Sequence, residues 1–160
     1  MQELIRVAEQ IAGKLIARKQ TIAVAESSTG GLISASLLAV SGASAYFLGS
    51  AVVYTREARR ILMDIPDAEM KGIRSASETY AKLLASEIRK RFSSDWGLSE
   101  TGATGPTGNR YGDAAGHSCI GVAGAESTAI TLETGKADRV GNMHAFASAA
   151  LKELLQQVSR

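Results

Sequence analysis

The stretch from Thr21 to Gly31, TIAVAESSTGG, constrains the fold more than any other. Thr21 to Ala25 carries no charge and is rich in β-branched residues. It shows none of the in–out alternation of a strand with one wet face, so it reads as a strand buried on both sides. The chain then passes through Glu26, Ser27, Ser28, Thr29, Gly30 and Gly31 into Leu32 to Val40, where Leu32, Ile33, Leu37 and Leu38 recur at helical spacing. Strand, Gly-rich turn and helix in that order open an α/β unit, and a strand covered on both faces needs helices above and below its sheet.

The remaining sequence extends this pattern. Leu4, Ile5, Ala8, Ile11, Ala12, Leu15 and Ile16 form one stripe of an N-terminal amphipathic helix. Tyr46 to Tyr54 reads as a second strand, and Thr55 to Met63 as a helix closed by Pro66. Ser75 with Glu78 has the spacing of a capping box ahead of a helix reaching Phe92. Trp96 to Thr101 suits a third strand, His117 to Ala123 and Ser127 to Glu133 a hairpin, and Asp138 to Val158 a closing helix. The fold class is therefore α/β: a three-layer α/β/α sandwich around a mixed central sheet, with residues 1–160 as a single domain.

Composition narrows the functional classes. With 18 Lys+Arg against 16 Asp+Glu, the net charge of +2 leaves only short basic clusters, at Arg56, Arg59 and Arg60 and at Arg89 to Arg91. No nucleic-acid partner is expected. The charged N-terminal helix is neither a signal peptide nor a membrane span, so a soluble, cytoplasmic protein without a membrane partner is expected. The one cysteine, Cys119, forms no internal disulfide and reads as a small core residue. His117 and His144 belong to no ligand motif, so no metal site is expected and both read as structural or exposed.

Two loops could carry chemistry. Backbone N–H groups at the start of a helix attract anions, and Gly30 and Gly31 leave room for one. Glu26, Ser27, Ser28, Thr29, Gly30 and Gly31 are thus candidate substrate-binding residues, although a plain N-cap and tight turn has the same pattern. Thr101 to Gly112 packs four glycines, one proline and four hydroxyl-bearing residues into twelve positions. Such a loop after a strand is often functional, and Gly102 and Gly105 join the candidate binding set. Ligands of open α/β sheets bind outside the carboxyl ends of the strands, so both loops are expected to face one crevice.

Five segments occur in order: AESSTGG from Ala25, GASAYF from Gly42, VVYTREAR from Val52, SASE from Ser75 and LSETGATGP from Leu98. Together they resemble the CinA C-terminal domain family, in its stand-alone form, over nearly the whole chain. The resemblance implies an α/β/α domain, a homodimer or higher homo-oligomer, and hydrolysis of the carboxamide of nicotinamide mononucleotide. The products would be nicotinic acid mononucleotide and ammonia, with no cofactor, in pyridine nucleotide salvage. It also implies Ser44 as nucleophile, Tyr54, Arg59 and Thr101 as further catalytic residues, and Arg139 as a substrate-binding residue.

The chain departs from the family pattern at Arg59, where active members have a lysine that serves a Ser–Lys type of activation. A serine hydroxyl needs a base within reach, and a guanidinium stays protonated. Three readings follow. Tyr54 is the base; or Arg59 holds the phosphate or the carboxamide oxygen while catalysis is slow; or hydrolysis is lost and the domain only binds a nucleotide. Further departures are Ser28 for a common cysteine, Ala43 for a serine, and Glu100 where an apolar strand residue is usual.

Overall fold

A computed structural model describes residues 1–160. Helix α1 (Gln2–Arg18) leads into strand β1 (Ile22–Glu26), then α2 (Leu32–Leu38), β2 (Phe47–Val52), α3 (Arg56–Met63), α4 (Glu78–Phe92), β3 (Trp96–Ala103), β4 (His117–Ala123), β5 (Ser127–Glu133) and α5 (Arg139–Val158). The sheet order is β2-β1-β3-β4-β5. Strands β2, β1 and β3 run parallel, while β4 and β5 are antiparallel to their neighbours. This is the expected mixed sheet between helical layers.

Strand β1 shows why its sequence lacks alternation. Ile22 and Val24 join the core formed with α1, α2 and α5, whereas Ala23 and Ala25 join the opposite core with Met63, Tyr80, Leu84 and Ile88. From β1 the chain moves to β2 on one side and later to β3 on the other. That reversal of strand order opens a crevice at the carboxyl ends of all three strands.

Helix starts follow local chemistry. The Thr55 hydroxyl accepts the Ala58 N–H at 3.0 Å, and the Ser77 hydroxyl accepts that of Tyr80 at 3.2 Å. Ser77, not Ser75, is thus the N-cap of α4. Ser75 precedes Ala76, whose positive φ of 54° turns the chain before the helix begins, so the Ser75–Glu78 capping box does not form. Cys119 is buried in β4, as its pattern predicts. No helix is long and apolar enough to cross a membrane.

Candidate functional site

A cavity of about 970 Å³ opens at the carboxyl ends of β1, β2 and β3. Its wall combines Ser27 after β1, Tyr54 to Arg56 after β2, Arg59 on α3, Gly72 to Ala76 and Tyr80 around the start of α4, and Thr101, Gly102 and Asn109 to Tyr111 after β3. Both Gly-rich loops therefore reach one crevice, the first through Ser27 alone. Four arginines line it against a single carboxylate, Asp67, which makes it cationic. Arg56 and Arg110 are exposed and take part in no ion pair.

The other cationic groups are partly engaged. Arg59 is buried; its Nε donates to the Ile65 carbonyl at 3.2 Å and its Nη2 pairs with Asp67. Arg74 forms a two-pronged pair with Asp113 and lies over the Tyr111 ring, 5.7 Å from its centre. Arg139 donates to the Gly105 carbonyl at 2.6 Å and to the Tyr54 hydroxyl at 3.3 Å. The Thr101 hydroxyl accepts the Ala76 N–H at 3.1 Å, leaving its own proton free to donate. Burial pushes the Tyr80 phenol up to about 12, so it lines the crevice as a neutral group.

The turn after β1 holds an anion of a different kind from the one its pattern suggests. Two fully buried carboxylates, Glu26 and Glu100, occupy its donors. Glu26 accepts from the N–H groups of Gly31, Ile33 and Ser34 and from the hydroxyls of Thr29 and Ser34. Glu100 accepts from the N–H groups of Ser27 and Thr29 and from the hydroxyls of Ser28 and Ser118, and shares the single Thr29 hydroxyl proton with Glu26. Burial pushes the Glu100 carboxyl above its ordinary range, and the Ser28, Thr29 and Ser27 donors pull it back in part. Of the expected substrate contacts on this turn, Glu26, Ser28, Thr29, Gly30 and Gly31 do not line the crevice. The N–H groups of Ser27, Thr29, Gly31, Ile33 and Ser34 are taken up by the two carboxyl groups rather than left for a ligand.

Residues 4–158 match the family model of the CinA C-terminal domain. The chain belongs to the CinA C-terminal domain family. A CinA-like protein of Salinibacter ruber is 38% identical over 145 residues, covering 91% of this chain and 35% of that relative. One of Desulforapulum autotrophicum is 33% identical over 159 residues, covering 98% of this chain and 37% of the relative. The chain thus spans about a third of the length of the curated relatives it matches. Among solved structures, a CinA superfamily protein of Klebsiella pneumoniae superposes with a TM-score of 0.90 at 22% identity, covering 98% of both chains. A competence/damage-inducible protein of Agrobacterium tumefaciens does so with the same score and identity, covering 99% of this chain and 96% of that one. At that identity these structures establish the fold.

Of the residues singled out by the CinA resemblance, Tyr54, Arg59 and Thr101 line the crevice together with Ser27 and Gly102. Arg139 and Gly105 stand beside it, with Arg139 donating to both the Gly105 carbonyl and the Tyr54 hydroxyl. Ser44 stands apart. It is exposed on a short 3-10 turn just before β2, whereas Tyr54 follows the end of that strand. Six residues of strand separate the two, roughly 20 Å at the usual rise. No group of three or more His, Cys, Asp or Glu side chains is placed to hold a metal ion.

Three polar residues support the crevice without being among the expected site residues; the sequence marks Glu100 only as a departure from the family pattern and His117 as structural or exposed. Glu100 completes the buried carboxylate pair. Asn142 donates to the Thr104 and Lys136 carbonyls, both at 2.8 Å, and so ties the loop after β3 to the start of α5. His117 bonds to Glu133 and to the Ala76 carbonyl. The only signal for Glu100 and Asn142 was a polar side chain at a position where the secondary structure calls for an apolar or a neutral helix-forming one.

Proposed function

We propose that the crevice binds nicotinamide mononucleotide, the substrate class implied by the CinA resemblance, and that one chain by itself binds it without hydrolysis. The observation carrying this reading is that Tyr54, Arg59, Thr101 and Ser27 meet in one cationic cavity while Ser44 lies at the other end of β2. Arg56, Arg110 and Arg139 would hold the phosphate, since planar guanidinium groups pair well with it. The Tyr54 and Tyr111 rings would flank the pyridine, and the Thr101 hydroxyl would donate to the carboxamide oxygen. Arg59 holds Asp67 and the Ile65 carbonyl and cannot serve as a base.

Calorimetric titration of the purified chain with nicotinamide mononucleotide tests this reading. Binding is expected, with Arg110→Ala weakening it about tenfold, the value of one charge-assisted hydrogen bond. Dilute protein is expected to release no ammonia. Absence of binding, or full affinity in Arg110→Ala, would reject the reading.

A second reading retains hydrolysis, and the position of β2 favours it. This strand is an edge of the sheet, and its own Leu48 and Val52 are exposed. Two copies paired antiparallel along β2 would set the start of one strand beside the end of the other. Ser44 of the second copy would then approach Tyr54 and the crevice. Its hydroxyl oxygen would bond to the carboxamide carbon as the C–N bond breaks, its proton passing by way of the Tyr54 hydroxyl to the nitrogen that leaves as ammonia. Water would then hydrolyse the serine ester, restoring the hydroxyl and releasing nicotinic acid mononucleotide. This reading requires ammonia release that rises with dimer concentration and is abolished by Ser44→Ala. Mixing Ser44→Ala with a crevice variant such as Thr101→Val would restore part of the activity in mixed dimers.

A further inference from the structure

His117 opens β4 and is 6% exposed. Its Nδ1 meets a Glu133 carboxylate oxygen on β5, and its Nε2 lies 2.8 Å from the Ala76 carbonyl oxygen. Both partners are acceptors only. A neutral imidazole has one N–H and one bare lone pair, so it would set a lone pair against an oxygen at one contact; the imidazolium satisfies both.

The residue at the far side of this contact shapes the crevice wall. Ala76 adopts a left-handed φ of 54° without being glycine, a conformation that persists only where its surroundings hold it. Its N–H is held by the Thr101 hydroxyl and its carbonyl by His117, with Arg74 Nη1 adding a longer contact at 3.3 Å. Ala76, Ser75, Arg74 and Thr101 all line the cavity.

We propose that His117, in its imidazolium form, is a positioning residue that holds the Arg74–Ala76 wall in its ligand-binding shape, so that binding weakens as the ring loses its proton. The proposal rests on the mononucleotide reading above and adds its regulation by pH.

The surrounding charges favour the cation. Glu133 faces the ring from β5, and Asp113 Oδ1 lies 3.7 Å from Nε2 on the loop before β4. Arg74 opposes them, both by pairing with Asp113 and by bringing its Nη1 to the Ala76 oxygen that Nε2 contacts. Along β4, the Cys119 thiol lies 3.7 Å from Nε2 and is pushed up by burial, so it stays neutral. From α4, Glu78 reaches only the Thr131 hydroxyl. Burial opposes the charge on His117, but Glu133, the Ala76 carbonyl and Asp113 outweigh it and raise the titration above the ordinary histidine value.

Nitrogen-15 NMR of the ligand-free chain tests the latch directly. Both ring nitrogens of His117 are expected to carry protons at about pH 6, with a midpoint above the usual value of about 6.5. The Ala76 and Thr101 amide resonances should move with that same midpoint, and Glu133→Gln should lower it. Calorimetry with nicotinamide mononucleotide should show at least a fivefold loss of affinity from about pH 6 to about pH 8.5, with His117→Gln weak at both. The ligand phosphate gains charge over this range, which would strengthen binding to arginines, so a loss has the opposite sign. A midpoint that ignores Glu133→Gln, Ala76 and Thr101 resonances that do not follow the ring, or affinity that holds across the range would overturn the latch. If the nucleotide binds at no pH, the ligand assignment fails, while the ligand-free resonances still decide for or against the latch.

Discussion

Arg59 shows how one side chain can occupy a crevice wall and still be committed to the protein. A lysine there would have a single ammonium for the Ile65 carbonyl and Asp67, and no planar fork to reach both. Arg59→Lys is accordingly expected to lose one charge-assisted bond, about 2 kcal/mol, read as a lower denaturation midpoint, and to leave dilute protein without ammonia release. Glu100 is a stricter case. Truncating it to alanine strands the Thr29 N–H and the Ser28 and Ser118 hydroxyls in a dry interior. At about 1–3 kcal/mol for each unsatisfied group, Glu100→Ala should unfold in markedly less denaturant, whereas Glu100→Gln keeps the shape and part of the bonding. A Glu100→Ala protein as stable as the parent would contradict this account of the turn.

At the scale of elements, α4 lies so close to the sheet that two strand positions admit no side chain. A Cβ on Gly97 would fall 2.0 Å from the Ala85 carbonyl oxygen, and one on Gly121 would fall 2.4 Å from that of Ala81. Gly97→Ala and Gly121→Ala should each cost about 1–3 kcal/mol by overpacking, visible as a lower melting temperature, while Gly13→Ala, with open space around it, should not. The α4 boundary shows what local pattern can mislead about. Ser75 and Glu78 have capping-box spacing, yet the left-handed turn at Ala76 moves the cap to Ser77. That turn is held by Thr101 and His117, neither of which is local in sequence.

Across the whole molecule, the buried Glu100 and His117 and the half-buried Asp113 set how stability varies with pH. The folded His117 and Glu100 titrate above their ordinary values, so what they contribute is lost as pH rises through them. Burial alone would raise Asp113, but its bonds from Arg74 and Asn109 and the nearby His117 charge bring it below the usual range. Its contribution is therefore lost as pH falls through the folded value. Asp113 and His117 together favour the window from about pH 4 to about pH 6.5, the unperturbed aspartate and histidine values, and Glu100 weights it toward the acid end. Thermal melting should give a lower midpoint at about pH 8.5 than at about pH 6, with the difference reduced in His117→Gln; equal midpoints in the parent chain would refute it.

Taken alone, the sequence determined the α/β/α class, the order of nearly every element, the family, and which loops approach one crevice. Those properties follow from period, punctuation and ordered motifs, which are local and additive along the chain. Tertiary structure decided what each polar group faces. The donors of the turn after β1 point at Glu26 and Glu100 because β1 and β3 are hydrogen-bonded neighbours, a pairing across more than seventy residues that no local signal encodes. His117 likewise meets the Ala76 carbonyl across forty-one residues, because α4 packs over β4. Hydrophobic pattern specifies which face is buried, but a hydrogen bond or a charge is defined only by its partner, and the partners are brought together by the folded sheet.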